Sequence, residues 1–190
     1  MKLSEQYIAH GICYRTLQVN EICRELFRDF IRRQNVEKCL RKENGAWVIR
    51  DAPFIDDWTE NDYQFLIQCL RNTIQTGGLV CGAFHGDAHS STLKGFVSVE
   101  SALFGGAHGY LDLSCIHVSE DMRGSGIGKI LFGTAKDWAK KKGGKKLYIS
   151  SHSAIETQAF YKAMGCVDAQ EYDQRHVAQE PYDRQLECVL

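Results

Sequence analysis

The sequence has 190 residues, of which 44% are hydrophobic and 25% are charged. This length and apolar content predict one domain over residues 1–190 with a full core. The formal net charge of −1 argues against general affinity for nucleic acid, which requires many positive charges to neutralise phosphates.

The positive charge is concentrated in residues 123–146. This segment holds eight basic residues and one acid, Asp137, so it carries +7 and leaves −8 for the rest of the chain. A basic segment beside a glycine-rich turn suits a small ligand with several phosphates. The lysines of 140–146 are more simply explained by solvation of a helix end and by its dipole. Binding to duplex DNA through the lysines is an alternative that the acidity of the remaining chain disfavours.

The eight cysteines include no C-x-x-C pair and no metal-type cluster, and most lie in apolar stretches, where a free thiol behaves as a small hydrophobe. His85 and His89 have the spacing of metal ligands on a helix, but Gly86 and Asp87 between them are typical of a turn. No metal is therefore expected. The sequence shows neither a secretory leader nor an apolar run of membrane length, which predicts a cytoplasmic protein that does not bind membranes.

The N-terminal half predicts two amphipathic helices. Asn20 can cap the first, whose apolar residues over 23–31 share one helical face. Residues 59–62 resemble a capping box for the second helix, which continues to about Ile74. Between the helices we expect a polar stretch, a short strand and a loop, at 38–44, 47–49 and 53–58.

The pattern changes to strands after the second helix. Three strands joined by short turns predict an antiparallel meander, which a helix, a strand, a helix and two closing strands follow. The result is a mixed α/β domain. The predicted strands are 79–84, 94–103, 110–118, 146–150, 166–172 and 184–189, and the predicted helices run to about 142 and over 155–164.

A glycine-rich turn, R-G-S-G-I-G-K, occupies residues 123–129 between the third strand of the meander and a helix. Glycines remove side chains where a ligand must approach the backbone. The helix start then offers unpaired N–H groups and a partial positive charge, which together bind phosphate. A dinucleotide fingerprint is excluded because Leu131 stands in place of the third glycine, and a P-loop is excluded because Ile130 stands in place of the Ser/Thr hydroxyl. A turn without a ligand is the alternative.

Two motifs resemble the GNAT superfamily of acyl-CoA-dependent N-acetyltransferases. V-x-x-x-x-R-G-x-G-I-G at 118–128 matches the R/Q-x-x-G-x-G/A signature of that family. A-F-Y-x-x-x-G-C at 159–166 matches its F-Y-x-x-x-G-F signature, with cysteine for the last aromatic residue. The resemblance implies a central, mainly antiparallel, splayed sheet flanked by helices, with acetyl-CoA as donor and a primary amine as acceptor.

The resemblance also implies residue roles. The backbone near Ile116, His117 and Val118 would hold the pantetheine arm and the acetyl carbonyl, and would stabilise its oxyanion. Tyr161 matches the tyrosine that protonates the departing thiolate. The pyrophosphate would be held by the N–H groups of Arg123, Gly124, Ser125, Gly126, Ile127, Gly128 and Lys129.

One position departs from the family pattern. Many members have an asparagine seven residues before the tyrosine, where it contacts the coenzyme arm. This chain has Ala154 there, and Ser153 is the predicted substitute.

The acceptor amine must lose a proton before it attacks the thioester. Some family members place the base six residues ahead of the position of Val118, which is Asp112 in this chain. Alternate residues of a strand share one face, so Asp112 and Ser114 are expected to face the thioester. Glu100 is the alternative base, and His117 has the opposite parity.

The acceptor is the least defined part of the prediction. One set of acidic and aromatic residues favours a cationic amine as acceptor. A solvated loop and a helix cap explain the same residues equally well. The set comprises Asp51, Asp56, Asp57, Trp58, Glu60 and Asp62. Residues 180–183 (E-P-Y-D) form a second such set. The expected partner is a small-molecule amine. A protein lysine or N-terminus as acceptor, and a non-catalytic acyl-CoA-binding module, are the alternatives, and a homodimer through the last strands is compatible with the resemblance.

Overall fold

A computed structural model describes residues 7–86 and 91–190. Strands and helices alternate over most of this length, with short 3-10 turns between them. The helices are α1 (Glu60–Gln75), α2 (Ile127–Lys141), α3 (Ile155–Ala163) and α4 (Gln174–Gln179). The strands are β1 (Tyr7–Ala9), β2 (Ile12–Thr16), β3 (Arg33–Glu43), β4 (Ala46–Asp57), β5 (Leu79–His85), β6 (Thr92–Val99), β7 (Tyr110–Asp112), β8 (Cys115–Val118), β9 (Lys146–Ser151), β10 (Val167–Asp168) and β11 (Arg184–Val189).

These strands form three sheets. The first has the order β1-β2-β5-β6-β8 and is antiparallel throughout. The second has the order β10-β11-β9-β7 and is antiparallel except for the β7–β9 pair. Strands β3 and β4 form a separate hairpin. The meander of β5, β6 and β8 and the mainly antiparallel arrangement confirm the predicted fold class.

The sheet divides within the stretch predicted as one strand over 110–118. Its first half, β7, pairs with β9, and its second half, β8, pairs with β6. Between the halves, the Leu113 N–H donates to the Tyr148 carbonyl at 2.9 Å, and the Ser114 N–H donates to the Ser98 carbonyl at 3.1 Å. The two sheets therefore separate at Leu113 and Ser114, and β8 is left as an edge strand facing a cleft.

Helix α2 packs against both sheets. Its buried residues Ile127, Leu131, Ala135 and Ala139 recur every four positions and form one stripe. This stripe belongs to the same core as residues of β6 and β9, such as Val97. The helix that follows the glycine-rich turn is thus fixed to the sheets from its first residue onward.

Gly95 on β6 lies directly beneath α2. A Cβ at this position would lie 2.7 Å from Ile127 Cγ2 and 3.0 Å from Leu131 Cδ1. We expect Gly95→Ala to lower the free energy of unfolding by about 1–3 kcal/mol, because the helix must move outward. Gly133→Ala is the matched control: it lies within α2 with nothing within 4 Å of its added Cβ. It should stabilise the protein by about 0.5–1 kcal/mol through helix propensity. Urea unfolding measures both, and equal effects would contradict the packing.

The second predicted helix is confirmed as α1, with the predicted cap. The Asp62 N–H donates to Thr59 Oγ1 at 3.4 Å, and the Thr59 N–H donates to Asp62 Oδ2 at 2.7 Å. Its buried residues, which include Tyr63 and Leu70, pack in a second core that also contains Phe27. The helix therefore covers the face of the first sheet opposite to α2.

The first predicted helix is wrong. Residues 19–27 form two short 3-10 turns, Val19–Glu21 and Arg24–Phe27, separated by Cys23 in an extended conformation. Ile22, Phe27 and Phe30 are all buried, at irregular spacing, in the second core. Tertiary packing of these side chains overrides the local helical pattern.

The short strand predicted at 47–49 is confirmed as part of β4, but the loop predicted at 53–58 is wrong, and the polar stretch at 38–44 is part of a strand, because β3 and β4 form a long hairpin. Asn44 and Gly45 join the strands with φ angles of +50° and +83°, as a tight hairpin turn requires. The Leu40 N–H donates to the Ser153 carbonyl at 2.8 Å. Cys39 pairs with Ala154 across an isolated antiparallel bridge. These contacts attach the hairpin to the segment between β9 and α3.

Elements at both ends of the chain differ from the prediction as well. β1 and β2 were not expected. The closing strand predicted over 166–172 is only the two-residue β10, and α4 follows it. Helix α4 begins after Asp173, whose Oδ1 accepts from the Arg175 N–H at 2.9 Å. The other predicted strands and helices over 79–189 are confirmed, with shifted ends.

Candidate active site

A cavity of about 1090 Å³ lies where the two sheets separate. One wall is β8, and a second is the glycine-rich turn with the start of α2. The remaining walls are α3, the start of β3, the ends of β4 and β9, and the segment before β11. Elements distant in the sequence therefore converge on one space, which is large enough for a small ligand and part of a larger one.

The glycine-rich turn presents backbone rather than side chains to the cavity. Gly124 and Gly126 have φ angles of +77° and +88°, and nothing lies within 4 Å of where a Cβ would be placed on either. Gly126 is the N-cap of α2 and has no capping side chain, so the first N–H groups of the helix remain available to a ligand. Arg123 and Lys129 flank the turn and line the cavity. This combination suits an anion such as phosphate.

Tyr161 lines the cavity from α3 with only 5% of its surface exposed. Its ring packs against Phe160 and Phe132, at centroid distances of 5.2 and 6.2 Å. Burial first, and then the nearby Cys166 thiol, raise the pKa of Tyr161 well above its ordinary value. The hydroxyl is therefore protonated at neutral pH, as a proton donor must be.

The residues of β8 line the cavity through both backbone and side chains. Ile116 and Val118 pack against the core beneath α2. His117 lies between two aromatic rings, 4.8 Å from Trp58 and 5.4 Å from Phe96 between centroids. Burial and the nearby arginine charges lower the pKa of His117 to about 3, so its imidazole is neutral.

Asp112 and Glu100, the two predicted bases, are held by other side chains and are not part of the cavity wall. Asp112 Oδ2 lies 2.9 Å from His176 Nε2. Glu100 Oε1 accepts from Thr73 Oγ1 at 2.6 Å and from Ser114 Oγ at 2.9 Å. The expected common face of Asp112 and Ser114 is lost because the chain changes sheets between them. The base role of Asp112 remains a prediction.

A carboxylate that the sequence did not single out as a base lines the cavity instead. Asp183 is half-buried before β11, and Ser150 Oγ donates to its Oδ2 at 3.3 Å. Burial and the charge of Glu180 raise the pKa of Asp183 to about 6. A carboxylate with this pKa can take and return protons near neutral pH. The sequence indicated only that residues 180–183 are acidic and aromatic.

Arg32 is a second residue that the sequence analysis missed. Its side chain is 10% exposed and forms an ion pair with Asp56. The guanidinium carbon lies 5.0 Å from the centre of the Trp58 ring. Its Nε is buried and has no hydrogen-bond partner among the residues that the structure describes. The sequence predicted a helix over the preceding residues. Such a helix gives no reason to expect the side chain of Arg32 beside Trp58.

The predicted acceptor set 51–62 is mostly engaged elsewhere. Glu60 pairs with Arg24 at 2.7 Å, Asp62 caps α1, and Asp51 lies at the hairpin surface beside Lys38. From this set only Asp56 and Trp58 reach the cavity. The helix-cap explanation therefore accounts for several of these residues.

Ser153, the predicted contact to the coenzyme arm, is 3% exposed and is outside the cavity wall. Its Oγ accepts a hydrogen bond from Arg41 Nη1 at 2.6 Å. The geometry gives its side chain a partner on β3, and the coenzyme contact remains a prediction.

Over residues 7–86 and 91–190, no three His, Cys, Asp or Glu side chains are grouped to hold a metal ion. His89, one member of the weak metal pair, lies outside the described residues. None of the helices in the same ranges has the length and apolar character needed to cross a membrane.

The sequence matches the profile of the acetyltransferase (GNAT) family over residues 44–166. This chain belongs to the GNAT family. It is an acyltransferase, and the resemblance inferred from the two motifs is confirmed. The match begins in the hairpin turn and ends at Cys166, so it contains the glycine-rich turn, β8 and Tyr161. No curated protein matches the sequence at a significant level.

Solved structures confirm the GNAT fold. Nourseothricin acetyltransferase superposes with a TM-score of 0.62 at 19% identity, over 93% of this chain and 96% of its own. A candidate streptothricin acetyltransferase from Bacillus anthracis str. Ames, in complex with acetyl coenzyme A, has a TM-score of 0.65 at 16% identity, over 93% and 95%. The PaiA N-acetyltransferase from Thermoplasma acidophilum, in complex with coenzyme A, has a TM-score of 0.58 at 18% identity, over 94% and 99%.

Proposed function

We propose that this protein transfers an acetyl group from acetyl-CoA to a primary amine of a small molecule. The observation that supports it most is the single cavity shared by the glycine-rich turn, the free edge of β8 and Tyr161. The turn supplies an anion site, and the edge of β8 supplies backbone groups that can bind a carbonyl. Tyr161 supplies a protonated hydroxyl. Structural neighbours with acetyl-CoA or CoA bound, and with small-molecule acetyltransferases among them, agree with this donor and acceptor class.

The turn is proposed to hold the pyrophosphate of acetyl-CoA through the N–H groups of 123–129. A backbone cradle with Arg123 and Lys129 beside it neutralises negative charge without a bulky side chain in the path. The backbone of Ile116, His117 and Val118 would then lie along the arm of the donor.

A glycine pair tests the pyrophosphate site. Gly126→Ala and Gly143→Ala both place a Cβ in open space at positive φ, +88° and +86°, so each should cost about 1–2 kcal/mol of stability. Only Gly126 lies at the start of α2, where a Cβ would meet the ligand. We expect about a tenfold higher KM for acetyl-CoA in Gly126→Ala and an unchanged KM in Gly143→Ala, from initial rates. An equal KM in both variants would contradict the site.

The proposed chemistry is a direct attack. The amine nitrogen forms a bond to the acetyl carbon, a base takes the proton of the amine, and the carbon–sulfur bond breaks. Tyr161 gives its proton to the departing sulfur, which leaves as the CoA thiol, and the tyrosine regains a proton from solvent. Asp183 is our preferred base, because it lines the cavity and Asp112 does not.

A cysteine in the cavity wall gives a reason to exclude an acyl-enzyme route. Cys115 is the cysteine that lines this cavity in the described part of the chain. Burial raises the pKa of Cys115 to about 12, so it carries no thiolate at neutral pH. Since the thiolate is the nucleophilic form, Cys115 is a poor acceptor for the acetyl group.

A thermal-shift panel of amines in the presence of CoA tests the proposed acceptor class. A ligand that binds only the folded protein raises its apparent stability by mass action. We expect stabilisation by one class of small primary amine and release of thiol from acetyl-CoA with the same class. Turnover only with peptides would favour a protein lysine or N-terminus as acceptor. Binding of acetyl-CoA without turnover on any amine would favour the non-catalytic module.

A further inference from the structure

We propose that Cys166 and Cys188 are a redox-sensitive pair, which a hydroperoxide joins through a reversible disulfide. Neither thiol takes part in the proposed acetyl transfer, so the inference does not depend on that reaction. Cys166 is also the residue that stands where the second GNAT signature has an aromatic side chain.

The register of β10 and β11 sets the two cysteines opposite each other. Val167 faces Glu187 in this antiparallel ladder, so the preceding position places Cys166 across from Cys188. Both side chains lie on the core side of the sheet, because Cys188 belongs to the core beneath α2 and Cys166 packs against that core. The two thiols share a hydrogen bond. Two thiols from distant parts of the sequence are therefore in direct contact.

The spacing across the ladder suits a disulfide. The Ala169 N–H donates to the Gln185 carbonyl at 3.0 Å, and hydrogen-bonded pairs alternate with non-hydrogen-bonded pairs along an antiparallel ladder. Cys166 and Cys188 are thus a non-hydrogen-bonded pair, a type whose Cα atoms are about 4.5 Å apart. Disulfides span Cα separations of about 4.4–6.8 Å, so this bond can form with little backbone movement. A separation at the short end strains the bond and makes it easier to reduce.

A positive charge beside the pair favours the reactive form. The hydrogen bond from Cys166, and then the charge of Lys136 on α2, lower the pKa of Cys188. The same hydrogen bond raises the pKa of Cys166, so the two sulfurs share one proton. Burial instead raises the pKa of Cys81 and of Cys115 to about 12. Since the thiolate is the form that reacts with peroxides, the paired cysteines differ from these two.

A small oxidant can reach the pair through Cys166. This residue is half-buried and borders a groove of about 550 Å³ between α3, the β3–β4 hairpin and β11, whereas Cys188 is 3% exposed. The shared proton lies between the two sulfurs, so it can move to Cys188 and leave the thiolate on Cys166. The accessible sulfur is then the one that meets the oxidant.

The reaction uses one hydroperoxide for each pair. With hydrogen peroxide, the thiolate sulfur attacks one oxygen, the O–O bond breaks, and the released hydroxide takes a proton from solvent to become water. This step leaves a sulfenic acid. The second sulfur attacks the sulfenic sulfur, an S–S bond forms, and the S–O bond breaks as the hydroxyl leaves with the thiol proton as water. Two thiols are oxidised and one peroxide is reduced.

The bridge would connect two parts of the candidate active site. The Cys166 N–H donates to the Tyr161 carbonyl at 3.0 Å, at the end of α3. The chain between the two cysteines carries Glu180 and Asp183, which line the cavity. Oxidation therefore closes a loop that starts at the helix of Tyr161 and contains part of the cavity wall.

Mass spectrometry of the full chain tests the pair. The reduced protein is treated with hydrogen peroxide, the remaining thiols are blocked with N-ethylmaleimide, and trypsin releases the two cysteines on separate peptides, 163–175 and 185–190. We expect these peptides to be joined with the loss of two hydrogens, and to separate on addition of dithiothreitol. Lys136→Met should slow the joining by about tenfold at pH 7.5, because fewer molecules then carry the thiolate. Lys140→Met, at an exposed position of the same helix, should leave the rate unchanged.

Cysteine variants separate proximity from exposure. Cys69 is exposed, so Cys69→Ser should leave the cross-link unchanged, whereas Cys188→Ala should abolish it. Cys166→Ser makes the same test at the half-buried position if the Cys188 variant does not fold. Recovery of the two peptides as separate maleimide adducts, at a peroxide dose that oxidises Cys69, would overturn the inference. Disulfide-linked dimers in place of the internal bridge would also overturn it.

Discussion

Tyr161→Phe is expected to lower kcat by about 10²- to 10³-fold, the usual contribution of a positioned general acid. The variant retains the ring that packs on Phe160 and Phe132 and removes only the hydroxyl. No hydrogen bond from that hydroxyl to the described residues would be lost, so stability should change little. The KM values for donor and acceptor should stay within about threefold, because the proton is transferred only as the carbon–sulfur bond breaks.

The matched control is Tyr63→Phe. The Tyr63 hydroxyl donates to the Phe30 carbonyl at 3.1 Å in the second core, and Tyr63 is not part of the cavity wall. Its loss should cost about 1 kcal/mol of stability and leave kcat unchanged. Steady-state rates and thermal unfolding of both variants are compared. Full turnover by Tyr161→Phe would contradict the proposed role of Tyr161 as the general acid.

Asp183→Asn is expected to lower kcat/KM at pH 7.5 by about 10²-fold and to change the pH profile. A base acts in its deprotonated form, so wild-type activity should rise with pH through about 6, the pKa of Asp183. The pH profile of Asp183→Asn should lack this rise in activity. Asp112→Asn is the direct comparison: a large loss there, with none in Asp183→Asn, would establish Asp112 as the base.

The thermal stability of Asp183→Asn shows whether its loss of activity comes from catalysis or from unfolding. The pKa of Asp183 in the folded protein, about 6, exceeds its ordinary value, so folding favours the protonated acid. Ionisation of Asp183 therefore lowers stability as pH rises from its ordinary pKa toward 6. Asparagine cannot ionise, so the melting temperature of Asp183→Asn at pH 7.5 should equal or exceed that of the wild type. A lower value would attribute the loss of activity to damage of the fold.

Local signals in the sequence predicted the elements that build the donor side of the cavity. The capping box at Thr59, the four-residue spacing in α2 and the glycines at 124, 126 and 128 are each specified by neighbouring residues. The same holds for α3 with Tyr161. Elements of this kind need only their own pattern and a face to bury.

The errors came from non-local packing. The apolar residues of 23–31 have helical spacing, but two of them, Phe27 and Phe30, are buried together with Ile22 in a core shared with α1 and β6. The sequence of the hairpin contains an Asn-Gly turn. Its strands are largely exposed, and a bulge between Val36 and Lys38 interrupts β3, so the alternation of apolar and polar residues along them is weak. Charged side chains likewise pair with residues from distant segments. Asp112, for example, pairs with His176 of α4. Parity along one strand could not show that the strand divides between two sheets.

The central claim is tested most directly with acetyl-CoA that is isotopically labelled in its acetyl group. The labelled donor, a stabilising amine and the enzyme are mixed, and mass spectrometry follows the amine and the protein while thiol release is measured. The account predicts label on the amine in a one-to-one ratio with free thiol, none retained on the protein, and a rate about 10²- to 10³-fold lower in Tyr161→Phe. Acetyl-CoA that binds without transferring label to any amine would contradict it.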